Sequence, residues 1–363
     1  MEKTGSFQIL GLMSGSSLDG LDLAHCHFEK SGQSWKGEIL KAHTFPFPEK
    51  LESQLRTIRQ TSFADAAETE AVFVRFCAES IGRFISKFNL EPMAIASHGH
   101  TVFHKPAGRY TLQIGNGGLL SGMLNRTVVS DFRTLDVGNG GQGAPLVPGA
   151  EHFLFSDFDV CLNLGGIANV SFPAENDLPA FDIVPCNQLL NLAASWCGLP
   201  YDKDGFLADK GVTIPELLHA LDQITYYRQK PPKSLGNEDV FSTWIPLMMP
   251  YRHRPEDVSH TLCLHIASRI ANEIKSVKAG GKLLVTGGGA FHNFFMACLR
   301  SELGSNWHIP LPSAEMIGHK EAYCFAFLGL LRLLEEKNVF RAHTGAKQDL
   351  VSGAVYGIQW LKW

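Results

Sequence analysis

The feature that most restricts what this chain can become is a hairpin plan used twice. Residues 7–28, FQILGLMSGSSLDGLDLAHCHF, run as an apolar strand, a turn of glycine and serine with an aspartate, and a second apolar strand. Residues 157–172, DFDVCLNLGGIANVSF, repeat that order with a glycine pair at the turn. A tight hairpin needs only two or three turn residues. The first turn spends more, and successive main-chain N–H groups in such a turn form a concave anion site to which serine hydroxyls can add. One such hairpin in each half predicts a duplicated domain with two comparable turns.

A chain of 363 residues exceeds one core of ordinary size, so two domains are expected. The Gly/Pro-rich stretch GNGGQGAPLVPGAE places the boundary at 137/138, giving domains 1–137 and 138–363, with the last ~20 residues able to pack back on the first. Within the first domain, residues 64–88 space Val72, Phe73, Phe76, Ile81, Phe84, Ile85 and Phe88 as one face of a helix. MAIASHGH and TVVSDF read as buried strands, and KLLVT as a strand before GGGAFHN. Further helices are expected from Gln188, Ile214, Val258, Ala290 and Lys320.

Composition excludes several classes. A net charge of −4 without a clustered basic surface argues against a nucleic-acid partner. No apolar stretch is long enough to span a bilayer. The opening MEKTGSFQILGLM has neither a basic n-region nor a small-residue cleavage pattern, so a cytoplasmic chain is expected. Eight cysteines stand singly, as reduced structural thiols do.

Three glycine turns carry nucleotide-binding potential. In the first, Ser14 to Asp22 supply amides and hydroxyls, and Asp19 or Asp22 would repel a bare phosphate unless one holds Mg2+ through water. In the second, Gly165 and Gly166 permit close backbone approach beside Asn163 and Asn169. The third, VTGGGAFHN, brings Gly287, Gly288 and Gly289 to the start of a helix, where a nucleotide could lie against the backbone. GNGGQG formally matches a dinucleotide fingerprint, but Pro145 and Pro148 deny it a following helix.

Candidate chemistry lies elsewhere. Asp182, inside AFDIVPCN, reads either as a cap for the helix from Gln188, a role Asn187 could share, or as a general base. Arg133, just past a strand, could hold an anionic group or pair with Asp131 or Asp136. His98 and His100 in SHGHTVFH admit a rival reading as ligands of a metal-dependent hydrolase.

Together GLMSGSSLDGLD, SHGHTVFHKP, LQIGNG, SDFRTLDVGNGGQGAPLVP, LNLGGIANVSF, FDIVPCNQLLN, YDKDG, PPKSLG, LLVTGGGAFHN, KEAYCFAFLG and TGAKQDLVSGAVYG resemble, in order, the anhydro-N-acetylmuramic acid kinase family. The three turns resemble the phosphate-1, phosphate-2 and adenosine motifs of the sugar kinase/hsp70/actin superfamily. The resemblance implies an α/β, two-domain actin-like ATPase (ribonuclease H-like) fold with an interdomain nucleotide cleft. It further implies a cytoplasmic homodimer that uses ATP and Mg2+ to open and phosphorylate 1,6-anhydro-N-acetylmuramic acid in peptidoglycan recycling.

Carried across by position, Gly15, Ser16, Ser17, Leu18, Asp19, Gly20, Leu21 and Asp22 form the ATP phosphate loop. Gly165, Gly166, Asn169, Gly287, Gly288 and Gly289 complete the nucleotide set. Asp182 takes the place of the catalytic aspartate, and Ser14, His98, Arg133, Asn187 and Glu321 are expected on the substrate. Asp19 and Asp22 are the metal candidates. Ser16, His100, Asn116 and Val184 depart from the family pattern, which has Thr, Gln, Asp and Gly there. A conventional kinase of another sugar and a nucleotide-binding regulator without catalysis are the remaining alternatives.

Overall fold

A computed structural model describes residues 5–15, 18, 20–173, 180–231 and 233–360. The chain forms two compact units, one made of residues up to Leu154 together with those from His319 on, the other of Phe155–Gly318. The division therefore falls later than the 137/138 boundary read from composition. The helix Val147–Leu154 packs beside the strand Ser34–Phe45, which keeps the Gly/Pro-rich crossing with the first unit. The stretch that returns to the first unit is also longer than the last ~20 residues.

In the first unit six strands lie in the order Ala354–Tyr356, Val128–Ser130, Ala94–Ser97, Gly5–Met13, Leu21–Ser31 and Ser34–Phe45. Gly5–Met13 pairs antiparallel with Leu21–Ser31 and parallel with Ala94–Ser97. Four successive residues, Ile9 to Leu12, are buried because both sheet faces are covered. On one face the helix Phe63–Phe88 supplies Phe73, Val74, Cys77, Ile81 and Phe84 to a cluster with Leu10, Leu12, Leu23 and Ile95. Ser62 caps that helix through the Asp65 N–H at 3.2 Å, and Asn89 ends it in the left-handed region. The seven apolar residues expected on its inner face all join this cluster or pack against it.

The other face takes the helix Ala314–Leu333. A side chain at Gly11 would put its Cβ 1.9 Å from the Ala322 carbonyl oxygen, so this helix lies directly on the strand backbone. Phe28 stacks on Tyr323 at 5.4 Å and meets Phe327 at 5.2 Å. This helix begins at Ala314, before the expected start at Lys320, and is interrupted where His319 leaves helical geometry. The edge strand Ser34–Phe45 was not legible, because its outward positions carry Lys36, Glu38 and Lys41 and blur the apolar alternation.

In the second unit the order is Phe181–Pro185, Ile167–Ser171, Val160–Leu164, Gly281–Thr286 and Trp307–His308. Its first three strands are antiparallel and the rest parallel, matching the five successive strands of the first unit. The repeat seen in two hairpins thus extends over both sheets, with the ribonuclease H-like order expected. The helix Pro255–Val277 buries Val258, Leu262, Ile266, Ile270 and Ile274 over this sheet at helical spacing. Among the described residues, no helix is long and apolar enough to cross a membrane.

Candidate active site

The first turn leaves the strand Gly5–Met13 at Ser14, whose buried hydroxyl lies 3.0 Å from His100 Nδ1. Ser16, Ser17 and Asp19 lie outside the described residues. Leu18 takes a positive φ of 59° while burying its side chain in the core, an unusual backbone for a leucine. The turn closes against the edge strand. A Cβ at Gly20 would stand 2.6 Å from the Phe45 carbonyl oxygen, so only glycine fits the approach. Leu21 then re-enters the sheet opposite Phe45, and Asp22 sits opposite Met13 at the turn's mouth.

The Asp22 carboxylate accepts a 2.5 Å hydrogen bond from Thr44 Oγ1, with His319 Nε2 4.0 Å away. A carboxylate at this position suits a hard ion such as Mg2+, which keeps several waters and needs only one or two protein carboxylates. No cluster of three or more His, Cys, Asp or Glu able to hold a metal occurs among the described residues.

Also in the first unit, Arg133 reaches His98 Nε2 through Nη2 at 2.8 Å and Nε at 3.1 Å, and Nη1 donates to the Gly143 carbonyl. Since the Gly99 carbonyl can only accept, His98 Nδ1 carries the proton of their 3.0 Å bond and Nε2 is the acceptor facing Arg133. Burial, with Arg133 beside it, holds His98 well below the usual imidazole range, so the ring is neutral. Both ring nitrogens are engaged by the protein, which removes the metal-ligand reading of His98. His100 is likewise pushed down to about 4, chiefly by burial.

Burial lowers the Arg133 guanidinium to about 10, and Glu321 opposes that shift electrostatically. Burial raises Glu321 in turn, Asp22 adding to the rise and Lys320 and Arg133 opposing it. The fold therefore brings Asp22, His98, Arg133 and Glu321 within electrostatic reach of one another, and His100, which acts on His98, carries the contact to Ser14. Neither acid weighed as a direct partner bonds Arg133. Asp131 accepts from the Thr134 N–H, and buried Asp136 accepts from the Gly143 N–H and Thr344 Oγ1.

In the second unit the Gly165 and Gly166 carbonyls accept the N–H groups of Asn187 and of Cys186 and Gln188, tying this turn to the helix Asn187–Ser195. The Asn187 side chain donates to the Leu164 carbonyl at 2.9 Å, so its amide nitrogen locks the turn. The third turn lies against the second. Gly287 has φ 82°, and a Cβ there would stand 2.7 Å from Asn163 Oδ1; one on Gly289 would stand 2.8 Å from Leu164 Cβ. Gly288 begins the short turn Gly288–Phe291. His292 accepts the Phe295 N–H on Nδ1 and presents Nε2 to Asp202 at 3.2 Å, anchoring the turn to YDKDG.

Asp182 stands on the strand Phe181–Pro185, opposite Asn169. It caps no helix. One carboxylate oxygen, Oδ2, accepts the Leu235 N–H at 3.0 Å. The other accepts no hydrogen bond among the described residues. Burial raises the carboxyl above its ordinary value, and the Leu235 N–H partly offsets the rise. A partly buried carboxylate with an open oxygen is suited to proton abstraction.

Two of the departures have local explanations. Asn116 caps the helix Gly117–Leu124 by accepting the Leu119 N–H at 3.0 Å, a role an aspartate would also fill. Val184 is fully buried in the second unit's core, just past a bulge that follows Asp182. Sequence reasoning missed Thr44, His319, Lys233 and Tyr226, whose partners lie far along the chain. PPKSLG and YDKDG were visible only as unassigned signatures.

A family model described as anhydro-N-acetylmuramic acid kinase matches residues 7–358. A protein of that name from Sulfurimonas denitrificans is 33% identical over 371 residues, covering 96% of this chain and 98% of the relative. Another from Pseudomonas syringae pv. tomato is 37% identical over 369 residues, covering 96% and 99%.

Proposed function

The chain belongs to the anhydro-N-acetylmuramic acid kinase family, and from that premise we propose that this kinase takes 1,6-anhydro-N-acetylmuramic acid, ATP and water to N-acetylmuramic acid 6-phosphate and ADP. The observation that carries the reading is the Asp182 carboxylate, raised by burial, bound at Oδ2 by Leu235 and open at its other oxygen.

The anhydro bridge is an acetal, so opening it resembles glycoside cleavage through an oxocarbenium-like state. Asp182 takes a proton from the water that bonds to C1. The C1–O6 bond breaks and its electron pair remains on O6. O6 then accepts the γ-phosphoryl group and ADP leaves, so no separate acid is needed for the leaving oxygen. The proton on Asp182 passes to solvent.

Phosphoryl transfer asks the protein for positioning and charge stabilisation. The turn from Ser14 to Asp22 in the first unit, and the glycine turns at 165–166 and 287–289 in the second, are assigned to the nucleotide. Asp22 would hold Mg2+ through water, and the ion would neutralise charge on the phosphates. Arg133, fixed by His98 and balanced by Glu321, is assigned to the carboxylate of the sugar's lactyl group. The proposal includes action as a cytoplasmic homodimer in peptidoglycan recycling.

The test is to incubate the protein with MgATP and the anhydrosugar and weigh the product by mass spectrometry. A gain of one phosphoryl group and one water, formed only with ATP, supports the reading. A gain of phosphate without water makes the protein a conventional sugar kinase. Asp182→Asn is expected to fold and bind ATP but lose turnover, and normal turnover in that variant removes Asp182 as the base.

A further inference from the structure

Asp182 lies on the edge strand of its sheet, with Ile167–Ser171 on one side. On the other side its contacts come from one irregular stretch of chain. The Asp182 N–H donates to the Lys233 carbonyl at 3.1 Å, Tyr226 Oη donates to the Asp182 carbonyl at 2.7 Å, and the Leu235 N–H binds the carboxylate. Ser234 and Gly236 are exposed, so the stretch is held at depth by Lys233 and Leu235.

Lys233 has an unusual setting. Its side chain is 1% exposed, its ammonium lies 2.6 Å from Glu273 Oε1 on the helix Pro255–Val277, and it stands over the rings of Tyr226 at 5.1 Å and Phe181 at 5.8 Å. Burying an ammonium is costly, and a carboxylate with two aromatic faces compensates it. Apolar residues could fill the same volume without that cost. What the ion pair adds is direction, since it fixes the main chain from Lys233 to Leu235 against a long helix.

We propose that Lys233, through its ion pair with Glu273, is a positioning residue that holds the Leu235 N–H on Asp182 Oδ2 and so aims the base's open oxygen at the water. This rests on Asp182 acting as the base. Asp182 faces Asn169 on the paired strand, and the Tyr226 hydroxyl that donates to its carbonyl is itself surrounded by Asp182, Glu273 from the long helix, Tyr227 and Asp239, with the Lys233 ammonium over the Tyr226 ring. The Leu235 N–H lowers the carboxyl's pKa. Losing it therefore moves the acid limb of activity to higher pH.

The test measures turnover of MgATP and the anhydrosugar across pH for the full chain, Lys233→Met, and Lys233→Met/Glu273→Met. The double variant removes both charges, so it folds without a stranded Glu273 even where the single variant does not. The expected result in the folded variants is a kcat lowered on the order of ten- to a hundred-fold. KM for ATP is expected to stay near the parent's, with the acid limb displaced upward. Simple loss of folded protein would lower the amplitude without moving that limb. A folded double variant with the parent's kcat and acid limb overturns the proposal. Asp182→Asn separates the two levels: if it is inactive while the double variant is normal, only the positioning role fails, whereas an active Asp182→Asn removes the base and the proposal together.

Discussion

Replacing His100 with Asn tests whether the first turn rests on a neutral ring. The asparagine amide stands near where Nδ1 stands, so it can keep the bond to Ser14 while removing the titrating group. In the folded protein His100 falls to about 4 from 6.5, mainly through burial, with Arg59 acting in the same direction. A depressed folded value means the parent carries no penalty above pH 6.5 and loses stability as pH falls through the window down to about 4. At pH 5 the two states differ in proton uptake by a factor of about 30, or ~2 kcal/mol.

Urea unfolding of parent and His100→Asn at pH 8 and pH 5 gives the comparison. The variant's absolute stability at pH 8 is not the readout; the quantity measured is how the gap between the two proteins changes with pH. It is expected to shift by about 2 kcal/mol in the variant's favour at pH 5. An unchanged gap would mean that His100 is not held neutral by the fold, and the account of the Ser14 contact would fail with it.

Two further outcomes are expected. Lys320→Met breaks the 2.7 Å pair with Glu151, in which each side chain is 4% exposed, and is expected to cost about 3–5 kcal/mol in urea unfolding, with Lys320→Met/Glu151→Met recovering much of it. Arg133→Lys replaces a planar fork that serves His98 and Gly143 from separate nitrogens with a single ammonium. It is expected to lower kcat/KM for the sugar about tenfold or more while leaving KM for ATP near the parent's, as steady-state assays with each substrate varied would show.

The parts legible in the sequence are those whose cause is local. Glycine and serine break the apolar runs at residues 14–20 and 165–166, and such small, polar residues mark turns in a sequence whatever packs around them. The helix Phe63–Phe88 announces itself through its 3.6-residue apolar period, while its Ser62 cap is seen only in the structure. The strand Ser34–Phe45 does not, since an edge strand carries charged residues outward. The true start of Ala314–Leu333 was hidden by the break at His319.

For the site, the sequence by itself determined which groups exist and where the glycine turns fall, because residue type and short-range backbone preference fix both. Only the tertiary structure decided their state. That the Asp182 carboxylate accepts the Leu235 N–H and caps no helix, and that His98 is a neutral acceptor between Arg133 and the Gly99 carbonyl, follow from contacts made only in the fold. Glu321 is raised by burial in the company of residues hundreds of positions away. Protonation follows desolvation and neighbouring charge, and those are set by parts of the chain that meet only after folding.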